Sequence, residues 1–275
     1  MTETKTKTDE SLFYLYGLVP TKELKDNPLK PFAGIDERHH IYERQIGEVT
    51  AILCEIDEKE FSEEVIEDKV NHDMEWLQAK AFHHHETLEK LHNSYTLIPL
   101  KFCTIYKSEQ NLARTIESEG LKFHQLFENI AQKEEWNLKI YCDDKKIKEE
   151  VVEHSSDIKE QEKAIESLSP GRQFFERKKW KQKVEEAVVN VKRSKCDEIH
   201  KSLTGLCSQS DVKKNWSQEM SGRKQDMNWN GIYLLNKNKR DTFLQQVKHL
   251  QKEYKELGFT MEFTGPWPCY HFANL

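Results

Sequence analysis

Trp136-Asn137-Leu138-Lys139-Ile140-Tyr141 places apolar Trp136, Leu138 and Ile140 in alternation with Asn137, Lys139 and Tyr141, the period of two of a strand with one buried face. The residues before it follow another period. Ser108 can cap a helix, and Leu112, Ile116, Leu121, Leu126 and Ile130 recur at helical spacing in two pieces separated near Gly120. The change of period opens a second unit, so the sequence predicts an α+β protein of two domains, 1–134 and 135–275.

Toward the N-terminus, residues 12–19 form an aromatic-rich apolar run that stops at Pro20 and reads as a strand. After a loop with Pro28, Pro31 and Gly34, residues 39–43 and 49–56 read as two strands of a hairpin around Gly47. Asp73 can cap a helix whose stripe is Leu77, Ala81, Leu88 and Leu91, ending at Asn93-Ser94, and residues 96–106 read as a further strand. Toward the C-terminus, Val151, Ile158 and Ile165 recur every seven residues, with Ile147, His154, Gln161 and Leu168 at the other seam positions of a thin coiled coil. Ser169-Pro170-Gly171 breaks this pattern. A second helical run through Trp180, Val184, Ala187, Val188 and Val191 then makes an antiparallel helical pair. Residues 228–235 read as a strand, 240–257 as an amphipathic helix, and Phe259, Met261 and Phe263 as a last strand.

Of the 275 residues, 36% are hydrophobic and 33% charged, which leaves apolar side chains for small cores while long polar helices stay solvated. No stretch approaches the roughly 20 uncharged apolar residues of a spanning helix, and residues 1–10 are polar without a signal core, so a soluble cytoplasmic protein is expected. The six cysteines are scattered without a C-x-x-C pair and read as reduced thiols. A net charge of -6 argues against nonspecific nucleic-acid affinity, although residues 172–195 are locally basic.

His83-His84-His85 is the most metal-like feature, yet consecutive helical residues point about 100° apart and cannot share one ion. The usable face would be His85, Glu89 and His92, giving a metal-binding enzyme or sensor as the alternative function. His84 lies on the apolar stripe, so it is expected buried and His83 more exposed. Neither Cys103 nor Cys269 stands in a nucleophile signature, and there is no Gly-rich phosphate loop, dinucleotide fingerprint or H-E-x-x-H, so catalytic, cofactor and metal residues are all expected to be absent. Arg172, Arg177, Lys178, Lys179, Lys181 and Lys183, interleaved with Phe174, Phe175 and Trp180, could neutralise phosphates; an acidic protein partner is favoured, because the aromatics share positions with the apolar stripe. At the C-terminus, prolines restrict the backbone between Trp267, Tyr270 and Phe272. These three, with Phe174 and Trp180, are candidates either for partner binding or for sealing the core.

In order along the chain, Leu15-Tyr16-Gly17, His84-His85-Glu86-Thr87-Leu88, Ile98-Pro99-Leu100-Lys101-Phe102, the strand 136–141, Ser169-Pro170-Gly171-Arg172 and Gly265-Pro266-Trp267-Pro268 resemble the gas vesicle protein F/L family. Two positions depart from its pattern: Cys103 stands where glycine is expected, and Cys269 where proline is common. The resemblance implies a family-specific N-terminal α+β domain followed by a ferredoxin-like domain with a helical-hairpin insertion at about 145–225. It also implies association with the gas vesicle shell protein and other accessory proteins, and a role in assembly as a minor vesicle component or chaperone-like factor. No catalytic residues carry over.

Overall fold

The structure is a computed structural model that describes residues 11–274; the polar opening segment 1–10 lies outside the described residues. Contacts divide the chain into one unit that runs to Lys133 and takes in residues from Trp267 onward, and another spanning Glu134–Pro266.

In the first unit the order is β1 (Ser11–Pro20), α1 (Thr21–Asp26), β2 (Ile41–Ile46), β3 (Val49–Asp57), α2 (Glu58–Phe61), α3 (Glu63–His72), α4 (Met74–Ser94), β4 (Ile98–Pro99), β5 (Ile105–Tyr106), α5 (Glu109–Ser118) and α6 (Gly120–Ile130). The sheet order is β2-β3-β1-β4, with β5 also paired to β1. The hairpin β2–β3 closes at Ile46 and Val49, with Gly47 at φ 61 in the left-handed conformation such a turn demands. Strand β1 slips register against β3 between Leu15 and Gly17. Before the slip Leu12, Tyr14 and Tyr16 enter the core cluster, and after it Val19 does, so the bulge changes which parity faces inward. Helix α4 starts where Asp73 accepts the Trp76 N–H, at 3.0 Å, and buries His84, Thr87, Leu88, Leu91 and His92.

The strand expected over residues 96–106 is two short strands with a turn between them. Both pair with β1, at Gly17–Pro99 and Phe13–Tyr106. Residues 100–104 loop away because Cys103 adopts φ 62, a conformation costly to any residue with a Cβ and natural to glycine.

The second unit contains β6 (Lys133–Cys142), α7 (Asp144–His154), α8 (Ser156–Glu166), α9 (Pro170–Thr204), β7 (Gln209–Val212), α10 (Gln218–Ser221), β8 (Met227–Asn236), a 3-10 turn (Lys237–Lys239), α11 (Arg240–Lys255) and β9 (Phe259–Trp267). Its sheet runs β7-β8-β6-β9. Both sheets pair antiparallel where their register is defined. The expected continuous seam over 145–168 is interrupted at Ser155, where the backbone is extended, and His154 turns out to Glu150. Ile147, Val151, Ile158 and Ile165 are buried as its apolar members. The 35-residue α9 returns alongside, and the Trp180 indole N–H donates to the Ile158 carbonyl at 3.1 Å.

Trp136, Leu138, Ile140 and Cys142 face the core of this unit. The opposite face of β6 is not open as expected. Tyr141 is buried there, the Arg223 guanidinium lies 4.5 Å from its ring, and the Lys139 ammonium lies 3.6 Å from the Trp216 ring, so the segment before β8 covers the strand. Glu134 is 1% exposed and is held by the Trp136 indole N–H at 2.8 Å and the Arg240 guanidinium, which satisfies a carboxylate that would otherwise be expensive to bury.

Gly265 lies against the Trp136 ring at φ 146, where an added Cβ would meet Trp136 Cδ2 at 2.7 Å and the Glu135 carbonyl at 3.0 Å. Gly265→Ala should therefore destabilise by about 1–3 kcal/mol, while Cys103→Gly should be neutral or stabilising by up to about 1 kcal/mol, as relief of the left-handed strain offsets the added chain freedom. Denaturant melts of the two variants check both signs.

Candidate functional site

Helix α4 turns three consecutive histidines toward three different environments. His84 points into the core of the first unit, with Nδ1 2.8 Å from the Tyr14 hydroxyl and Nε2 3.2 Å from the Leu100 carbonyl. A carbonyl can only accept, so Nε2 carries the proton and Nδ1 accepts from Tyr14. The Tyr14 oxygen accepts in turn from the Cys103 N–H at 3.1 Å. The Tyr16 ring stacks on His84, with centroids 5.7 Å apart, and its hydroxyl reaches His83 Nε2 at 3.2 Å. His84 is 5% exposed and His83 half-buried, the order expected from the helical stripe.

His85 turns outward to the C-terminal segment. Its Nδ1 lies 2.9 Å from the Tyr270 hydroxyl, and its ring is 5.4 Å from Trp267 and 6.3 Å from Tyr270. That segment is fastened beneath by small side chains: Cys269 and Ala273 are buried, and Ala273 N–H donates to the Cys269 carbonyl at 2.9 Å. The Asn129 amide on α6 meets the Phe272 carbonyl at 3.5 Å. The aromatic residues stand at the boundary instead of inside. Trp267 and Phe272 are half-buried, Tyr270 is exposed, and Phe82, one turn before His85 on α4, is 62% exposed. His85, Trp267 and Tyr270 thus cluster at the surface, with exposed Phe82 one helical turn away, a composition suited to anchoring a protein partner.

The other candidates separate. The ring atoms of His85 are engaged by Tyr270 and, at 3.6 Å, by Glu89, whereas His92 is buried on the core side of the helix. The proposed triad is therefore not assembled, and no group of three or more metal-ligating side chains converges among the described residues. In the second unit, Trp180 is half-buried against α8, but Phe174 is 71% exposed. All six cysteines are unbridged. Burial pushes the Cys103 thiol up to about 11, leaving it protonated and a poor nucleophile at neutral pH. Among the described residues no helix is long and apolar enough to cross a membrane.

Sequence reasoning missed Phe82 and the pairing of His85 with the tail. Phe82 interrupts the polar face of α4 between Gln78 and Glu86, a signal that was present and unread.

Burial lowers the His84 imidazole from its ordinary 6.5 to about 4. Between those values the unfolded chain takes up a proton that the native state refuses, so the native state is at full strength above pH 6.5 and weakens as pH falls toward 4. The loss expected from this group is on the order of 2–3 kcal/mol. Urea unfolding across that window should show a steeper decline for the parent than for His84→Gln; parallel declines would exclude the assigned protonation state.

The family model described as gas vesicle synthesis protein GvpL/GvpF matches residues 12–274. Gas vesicle protein L of a Streptomyces species is 20% identical over 229 residues, covering 83% of this chain and 81% of that protein. Gas vesicle protein F1 of Halobacterium salinarum is 41% identical over a shorter stretch of 46 residues, 17% of this chain and 21% of that protein. The crystal structure of GvpF from Anabaena sp. PCC7120 superposes with a TM-score of 0.72 at 21% identity, covering 96% of this chain and 99% of that one. GvpF from Microcystis aeruginosa gives 0.67 at 19% identity, with coverage of 96% and 99%. A match that begins one residue inside β1 and ends in the C-terminal segment takes in every element described above, and the chain belongs to the GvpL/GvpF family of gas vesicle proteins.

Proposed function

We propose that this protein acts by binding, not catalysis: it engages the hydrophobic gas vesicle shell protein through the Phe82–His85–Trp267–Tyr270 surface and assists its assembly. The observation that carries this is the aromatic surface itself, held in place by the His85–Tyr270 hydrogen bond and by buried Cys269 and Ala273 yet left partly open. A shell subunit must present apolar area to gas, and such area aggregates unless covered before assembly. A preorganised aromatic anchor covers it at low entropic cost, because few rotamers remain to be frozen. The setting would be the cytoplasm and the growing vesicle, where the protein serves as a minor component or chaperone-like factor beside other accessory proteins.

For the second unit we favour a ferredoxin-like architecture with the helices α7, α8 and α9 as its enlarged first connection. The order β7-β8-β6-β9, with α9 linking the first strand to the second and α11 the third to the fourth, supports that reading.

Tyr270→Ala should leave the melting midpoint nearly unchanged, since the side chain is exposed, and weaken shell-protein capture about tenfold or more. Trp267→Ala, at a half-buried position, should cost about 1–3 kcal/mol of stability as well as binding. Pull-down and light scattering with purified shell protein check this: if parent protein neither binds it nor suppresses its aggregation, or if Tyr270→Ala and Phe82→Ser behave as the parent, the assigned surface is wrong.

A further inference from the structure

The first two turns of α9 hold a feature that the aromatic surface of the first unit does not use. Phe174 and Phe175 are 71% and 67% exposed and meet edge to face, with ring centroids 5.6 Å apart at 84°. The buried residues of α9 begin only at Val184, and Trp180 is the first apolar side chain of the helix to pack against the core of its unit. Two large aromatics left in water on a solvated helix are costly to solubility and have no packing role. Helical spacing puts Lys178 four residues beyond Phe174 and three beyond Phe175, between the two rings, and Lys181 seven beyond Phe174, on the Phe174 side of the pair. From Pro170 to Lys183 six basic residues stand against the single acidic Glu176, which is paired with Lys179 at 2.8 Å. Arg172, Arg177, Lys178 and Lys181 make no ion pair among the described residues.

We infer that this face of α9 docks an acidic amphipathic helix of another protein, with apolar residues of that helix covering Phe174 and Phe175 and flanking carboxylates meeting Lys178 and Lys181. The pattern is that of helix-on-helix recognition, apolar anchors at helical spacing with charges fixing orientation and partner choice. A nucleic acid fits less well. Rings at 84° cannot both stack on successive bases. A lipid surface fits less well too, because two phenyl rings offer little apolar area to bury in it. This inference does not depend on the shell protein being the ligand of the first unit.

The test uses the full chain and a designed 18-residue helical peptide (~27 Å long) with a leucine stripe flanked by glutamates. The same peptide with lysines, vesicles of phosphatidylserine and phosphatidylcholine, and duplex DNA serve as comparisons. Titration by fluorescence anisotropy should show the glutamate peptide bound at least about tenfold tighter than the lysine peptide, and more weakly as salt rises. Phe174→Ser/Phe175→Ser should lower its affinity about tenfold or more with an unchanged melt, because both side chains are exposed. Lys178→Glu/Lys181→Glu should reverse the preference between the two peptides. Equal binding of both peptides, undiminished binding by the serine variant, or tighter binding to vesicles or DNA would overturn the proposal.

Discussion

The burial of a neutral imidazole at His84 is the constraint on which the first unit turns. Once His84 Nε2 must donate to the Leu100 carbonyl and Nδ1 accept from Tyr14, the rotation of α4 over the sheet is fixed. That rotation decides the fate of its neighbours. His83 reaches Tyr16 at the edge of the core and His85 is turned out toward Tyr270 and Trp267. The turn after β4 is shaped by the same demand, since Cys103 takes its left-handed conformation while its N–H closes on the Tyr14 oxygen. A buried polar chain of this kind confers specificity because a half-satisfied version of it would cost more than an apolar core.

A related constraint organises the second unit. Glu134 at the start of β6 is buried, and the Trp136 indole and Arg240 guanidinium that satisfy it tie the strand to the first turn of α11. Removing one partner of such a group leaves a charge stranded, so its members act as a set. On the far side of the same strand, Lys139 and Arg223 place their cations on Trp216 and Tyr141, which lets a largely polar segment cover a sheet face.

Where local physics decided the outcome, the sequence was readable. Asp73 and Ser108 both cap as their positions suggest, Gly47 makes the hairpin turn, and the stripe on α4 correctly distinguishes His84 from His83. Where long-range contacts decided it, the sequence was silent. Helix α3 buries no side chain and so shows no apolar period, and β7 is a short polar strand recruited by β8. The break in residues 96–106 depends on a turn that closes against Tyr14 and Tyr16, and the covered second face of β6 depends on residues some eighty positions away. The candidate aromatics were identifiable by type, but not by role: Trp180 packs on α8, Phe174 stands in water, and Trp267 and Tyr270 gather around a histidine remote in sequence.

The packing of Trp267 and Tyr270 around His85 gives the binding proposal its physical content. The most direct measurement is site-specific photocrosslinking in gas-vesicle-forming cells, with a benzophenone-bearing phenylalanine analogue introduced in place of Tyr270 and, separately, in place of exposed Lys252 on α11. Engagement at the His85–Trp267–Tyr270 surface predicts a covalent adduct with the shell protein from position 270 and none from position 252. Adducts of equal yield from both positions, or an adduct from 252 alone, would contradict it.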